Sequence, residues 1–299
     1  MKTYAPVTEA VLDALKTIVG AEYVLTEPEK LEQYQTDEET DPRKFHLPEA
    51  VVLPKDAQEI AAVIKLANTY DVPVTVRSGG TSLAGGAIPV CGGIVLLMER
   101  LNKIIELNAE GMYMEVEAGV RTVDIQKYAN EAGFLYAGDP CSAESCLIGG
   151  NIATNAGGNK AVRYGVTRDQ VYAVEVVTPT GEIVDLGARL KKKSTGYCLE
   201  QLIMGSEGTL GIITKATLKL QPIPPYRFDL LAVFSDPEQA LDVVPKIMQA
   251  GIIRPVWSIW IIPMCAVRPN IWSLREPLIM RTAFMLSLQW RLSARTSWI

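Results

Sequence analysis

Apolar residues recur three and four apart at Val11, Leu12, Leu15, Ile18 and Val19, which predicts an amphipathic helix over residues 8–19. Thr8 is placed to cap it and Gly20 to stop it. A short apolar run at 50–53 is followed by Asp56, which caps a helix to about Tyr70 with Ile60, Val63, Ile64 and Ala67 on one face. Residues 72–76 then return to a β pattern. A strand, helix and strand of this length predict a parallel crossover. Further strands are predicted at 93–98, at 103–107 and 112–118 around the turn Asn108-Ala109-Glu110-Gly111, and as a hairpin at 171–178 and 182–186. Helices are predicted at 122–132, closed by Gly133, and at 199–204, with a strand inside 210–220. The prolines at 222, 224 and 225 read as a linker, and a strand at 227–234 with a helix at 237–249 opens a second unit. The polar, acidic stretch 27–49 reads as solvated surface.

Composition narrows the class. The 299 residues are 48% hydrophobic and 21% charged, as in a globular chain with a sizeable core. A net charge of −5 gives no reason to expect nucleic acid. Glu9 and Asp13 interrupt any signal-like run, and no stretch before residue 250 is apolar for long enough to span a bilayer. Five cysteines, at 91, 141, 146, 198 and 265, form no CxxC pair, so a reducing compartment is expected and a zinc or iron–sulfur site is not. The single histidine, His46, leaves no His-based metal centre to expect.

Chemistry concentrates in glycine-bearing stretches. Residues 72–86 read VPVTVRSGGTSLAGG: a strand that becomes a loop with Gly79, Gly80, Gly85 and Gly86, the hydroxyls of Ser78, Thr81 and Ser82, and Arg77 at its start. Glycine lets successive main-chain N–H groups turn toward one point, a nest suited to phosphate. A plain turn between strands explains one such loop equally well. Residues 138–158, GDPCSAESCLIGGNIATNAGG, and 205–213, GSEGTLGII, repeat the small, donor-rich character. Three such stretches suggest one long polar cofactor held along its length, with core packing as the alternative. A nicotinamide cofactor is disfavoured, because no GxGxxG follows a first strand.

The runs RSGGTSLAGG, DPCSAESCLIGGNIATNAGG and GSEGTLGII, in that order, resemble the flavin domain of the FAD-linked oxidases, the vanillyl-alcohol oxidase / p-cresol methylhydroxylase superfamily. Within it the chain is most similar, from about residue 20 to about 250, to the glycolate oxidase and D-lactate dehydrogenase branch. The resemblance implies an α+β fold: a two-subdomain FAD-binding domain over residues 1–222, then the beginning of an α/β cap domain at 223–252. It implies that Val76, Arg77, Ser78, Gly79, Gly80, Thr81 and Ser82 wrap the FAD pyrophosphate. It places Pro140, Cys141, Ser142, Ala143, Glu144, Ser145, Cys146, Leu147, Gly149, Gly150, Asn151, Thr154, Asn155, Ala156, Gly157 and Gly158 along the ribityl chain and ring. Glu207, Gly208, Thr209, Leu210, Gly211, Ile212 and Ile213 would meet the adenosine end. Many relatives attach FAD through a histidine in the first loop; Thr81 stands there, so the expected FAD is non-covalent. The implied reaction is oxidation of a D-2-hydroxy acid, of glycolate or D-lactate type, to the 2-oxo acid. Electrons would pass to an electron-transfer flavoprotein, an iron–sulfur subunit or a quinone. A cytoplasmic location, or one peripheral to the inner face of the membrane, follows from the same resemblance. The alternative is a non-catalytic FAD-binding module within an electron-transfer complex.

The last stretch departs from that pattern. All five tryptophans and six of the fourteen arginines, but no lysine and only Glu276 among the acids, lie after residue 252. Residues 1–252 carry 23 basic and 33 acidic side chains, net −10, against +5 for the remainder. No sustained helical or strand period runs through it. Residues 253–299 are therefore expected to be an out-of-frame or degraded reading of the cap rather than a native domain, with a basic, Trp-rich membrane-surface segment as the alternative. The cap's substrate-holding motifs are missing, so catalytic residues stay unassigned, no metal site is expected, and turnover should be weak or absent.

Overall fold

The computed structural model describes residues 3–225, 228–234, 237–251, 257–263 and 282–290. In chain order the first elements are α1 (Glu9–Val19), β1 (Val24–Leu25), α2 (Pro28–Leu31), β2 (Ala50–Val52), α3 (Ala57–Tyr70), β3 (Val74–Arg77) and β4 (Ile94–Leu97). Next come β5 (Ile104–Asn108), β6 (Tyr113–Glu117), α4 (Thr122–Glu131), β7 (Phe134–Leu135), α5 (Ile148–Ala153), α6 (Ala161–Tyr164), β8 (Val171–Val177) and β9 (Ile183–Gly187). The chain continues through α7 (Leu199–Ile203), β10 (Ile212–Lys219), β11 (Gln221–Pro222), β12 (Phe228–Phe234), α8 (Pro237–Gln249), β13 (Trp257–Pro263) and β14 (Thr282–Trp290).

Two main sheets and the two-stranded pair β11-β7 lie in the larger of two compact units, residues 1–157 with 166–222. The first has the order β1-β2-β4-β3, with β2 and β3 both parallel to β4. The crossover from β2 through α3 thus lands one place beyond β4. Asp56 caps α3 through the Glu59 N–H at 2.9 Å, and Ile60, Val63 and Ala67 are buried. β4 is buried at all four positions, as the continuous run IVLL requires of a central parallel strand. The second sheet, β5-β6-β10-β8-β9, is antiparallel throughout. Its strand β6 alternates half-buried and buried residues, one face toward the core. One hydrophobic cluster joins both sheets, from Val11 and Ile60 through Ile94 and Leu96 to Val176 and Leu218.

Two sequence expectations change. Thr8 makes no side-chain cap; α1 is held by its stripe, with Val11, Leu15 and Val19 buried. The stretch 27–49 is not merely solvated surface. Leu31 is buried, the Glu38 N–H donates to the Ser82 carbonyl at 3.0 Å, and the Thr36 carbonyl accepts from Arg77 Nη1 at 2.6 Å. These bonds use main-chain carbonyls, which leave no trace in a polarity pattern.

The second unit comprises residues 158–165 and 223–299. It contains an antiparallel sheet ordered β12-β14-β13. Strands thus occur where no period was read. Bulky and β-branched residues such as Trp257, Ile259 and Trp260 favour extended backbone without alternating. Pro263 ends β13, an edge strand, where its missing N–H is tolerated. The expectation about 253–299 otherwise lies outside the described residues. Among the described residues no helix is long and apolar enough to cross a membrane.

Candidate functional site

The first loop leaves the C-terminal end of β3, the edge where open α/β sheets place ligands. Beside it, β4 ends at Leu97 and is followed by Met98. Arg77 does not face the cavity. Its guanidinium is half-buried, donates to the Thr36 carbonyl, and lies 5.7 Å from the Tyr34 ring centre. Burial lowers its pKa, opposed by Asp37, Tyr34, Glu99 and Glu38. Arg77 therefore anchors the loop to the acidic strap 34–38. Beyond it, the main-chain N–H groups of Gly79, Gly80, Thr81 and Ser82 find no protein acceptor among the described residues. Four consecutive unclaimed donors suit an anion.

The second segment folds over the start of α4 before entering α5. Thr122 N–H donates to the Cys146 carbonyl at 3.1 Å, Val123 N–H to the Ala143 carbonyl at 3.0 Å, and Leu147 bridges to Arg121. Behind this seam is a buried polar chain: Asn151 Nδ2 donates to Thr122 Oγ1 at 2.6 Å, and that hydroxyl meets Cys146 Sγ at 3.3 Å. Burial also pushes the pKa of the neighbouring Tyr136 phenol far up, with Cys146 adding to the shift. The first loop and this segment touch closely. A Cβ on Gly79 would stand 2.8 Å from the Ser145 carbonyl oxygen, and one on Gly150 2.9 Å from Ser78 Cβ. At both positions only glycine fits without a shift.

The third segment docks on the end of α5. Gly205 N–H donates to the Ile152 carbonyl at 3.1 Å and Glu207 N–H to the Ala153 carbonyl at 2.9 Å. Glu207 adopts a left-handed φ of 52°. The turn is closed by Thr209, whose N–H and hydroxyl both donate to the Ser206 carbonyl.

Between the three segments lies a groove lined by all of them. It collects Val76, Ser78, Gly80, Thr81 and Ser82 from the first loop, Gly149, Gly150 and Thr154 from the second, and Glu207, Gly208, Gly211, Ile212 and Ile213 from the third. Gly86, one of the glycines read in the first loop, joins them, as do Ala87, Met98 and Ala153, which were not singled out from the sequence; the end of the neighbouring parallel strand was the available signal for Met98. Gly79, Ser145 and Leu147 line a neighbouring recess with Asn102, Arg121 and Asp124. Asn151, Cys146 and Asn155 support the walls through hydrogen bonds. Ala156 does so through its carbonyl, which accepts from Thr167. Pro140, Cys141, Ser142, Ala143, Glu144, Gly157, Thr209 and Leu210 are not among the groove residues, and Gly158 falls in the second unit. Among the described residues no group of three or more His, Cys, Asp or Glu side chains is placed to hold a metal.

Comparison with known sequences matches residues 48–187 to the family described as FAD binding domain. This part of the chain is an FAD-binding domain. The groove fits that cofactor: unclaimed amides for a diphosphate, and a lining of small residues that includes Gly149, Gly150 and Gly208. The chain is 41% identical over 243 residues to a D-lactate dehydrogenase of Anaerostipes hadrus, covering 81% of this chain and 50% of that one. It is 40% identical over 212 residues to the glycolate oxidase subunit GlcD of Bacillus subtilis, covering 71% and 45%. The chain thus spans about half the length of the curated relatives it matches. Its fold is that of p-cresol methylhydroxylase, with a TM-score of 0.78 at 21% identity over 97% of this chain and 63% of that one. Alkyldihydroxyacetonephosphate synthase gives 0.83 at 21% identity, over 97% and 57%.

Proposed function

We propose that this chain holds FAD non-covalently along the groove and is the flavin-binding part of an oxidoreductase that converts a D-2-hydroxy acid to its 2-oxo acid. The observation that carries the reading is the convergence of three distant segments on one cavity. The names of the relatives support the substrate class. Bound FAD supplies a hydride acceptor for the substrate's carbinol carbon. The chain's own contribution is to bind and orient: the free amides of residues 79–82 take the diphosphate, and the seam between Gly79 and Ser145 fixes the loop that carries them. Thr81 offers no imidazole for a covalent link. An electron-transfer flavoprotein, an iron–sulfur subunit or a quinone would then take the electrons.

One observation favours the second reading, a flavin-binding module with little catalysis of its own. Among the described residues of the groove Glu207 is the single charged side chain, so none of them offers a cation to anchor a substrate carboxylate. Weak or absent turnover by the 299-residue chain follows. Anaerobic addition of D-lactate or glycolate to the FAD-loaded protein decides between them. Bleaching of the flavin band supports catalysis, and an unchanged spectrum supports the module. Failure to take up FAD at all refutes both.

A further inference from the structure

Arg168 sits between the second and third segments, in the short turn Thr167–Gln170. Its main-chain N–H donates to Asn155 Oδ1 at 3.0 Å, and its Nη2 donates to the Met204 carbonyl at 3.1 Å. The same Nη2 lies 3.3 Å from where a Cβ on Gly205 would stand. Its neighbour Thr167 adds two bonds to the Ala156 carbonyl, from N at 3.1 Å and Oγ1 at 2.7 Å. Asn155 directly follows the groove residue Thr154, and Gly205 stands two before the groove residue Glu207. Both walls turn through left-handed residues that are not glycine, Asn155 at φ 49° and Glu207 at φ 52°. Such residues persist only where their surroundings impose the conformation.

We propose that Arg168 is a positioning residue for the flavin site: one side chain and its own amide clamp the end of the second segment to the start of the third, setting the spacing of the two groove walls. It lies outside the groove and acts on FAD only through Asn155 and the 204–205 turn. A planar guanidinium reaches the Met204 carbonyl with a fixed fork that an ammonium lacks. The inference rests on the FAD reading above.

The test uses the full chain as wild type, Arg168→Met and Arg168→Lys. The melting temperature of the FAD-free protein and the Kd for FAD, from flavin-fluorescence titration, are measured for each. The expected result is a Kd raised at least about tenfold in Arg168→Met, as for loss of a charge-assisted bond. Arg168→Lys should fall between, and the FAD-free melting temperature of Arg168→Met should fall as well, because the Met204 carbonyl loses its donor. If Arg168→Met does not fold, Arg168→Lys alone decides by the same two readings. Equal Kd values overturn the inference while leaving the FAD reading intact, as does a loss of FAD-free stability without a separate change in Kd. A wild type that binds no FAD overturns both.

Discussion

Replacing Gly79 with alanine tests the seam between the first two segments. The new Cβ would stand 2.8 Å from the Ser145 carbonyl oxygen, 3.3 Å from Cys146 Cα and 3.4 Å from Leu147 N. All three are main-chain atoms, so no rotamer change relieves the contact. Reaching an ordinary separation of 3.4 Å opens the seam by about 0.6 Å, and overpacking of this kind costs about 1–3 kcal/mol. The first loop is held elsewhere by Arg77 and Ser82, so it yields on the side where its amides face the groove. If the whole cost falls on cofactor binding, the FAD Kd rises by about fivefold to about 150-fold. Gly157→Ala is the control: Gly157 has open space around it and no left-handed φ. Fluorescence titration of apoprotein with FAD reads both variants. Wild-type affinity in Gly79→Ala, with an unchanged melting temperature, refutes the seam; a large loss in Gly157→Ala refutes the claim that motif glycines matter only where they are packed.

Other outcomes follow from the same geometry. Arg77→Met leaves the Thr36 carbonyl without its donor and should lower stability by about 1.5–3 kcal/mol; an unchanged urea midpoint would contradict the strap. Asn155→Gly should keep the turn at φ 49°, whereas Asn155→Ala should cost about 1–2 kcal/mol more for the left-handed backbone; equal melting temperatures would argue against it. Trichloroacetic acid should release all the yellow colour of the FAD-loaded protein, since Thr81 stands at the attachment position; a coloured pellet would show a covalent link.

Much of the fold was legible because side chains announce it. Asp56 and the stripe Ile60, Val63, Ala67 specify α3, and IVLL specifies a strand covered on both faces. The groove was legible as three glycine-bearing stretches because close approach and free amides require small residues. What stayed hidden rests on main-chain groups or distant partners. The strap at 34–38 holds the first loop through the Thr36 carbonyl and the Glu38 N–H, which any residue could supply. Arg77 read as charge for a phosphate because nothing in its neighbourhood in sequence points to Thr36 and Tyr34, some forty positions earlier. Arg168 was invisible for the same reason, since its partners Asn155 and Met204 are brought to it only by folding. The strands β13 and β14 escaped because their apolar residues, interrupted only at Ser258, Ser287 and Gln289, show no period sustained over the whole strand.

Amide hydrogen exchange with and without FAD tests the convergence most directly, since each segment reports separately in one sample. The account predicts that FAD slows exchange together in peptides covering 78–82, 149–154 and 207–213, while the outer strand β9 is unaffected. Protection confined to one of the three stretches, or absent from all, would contradict it.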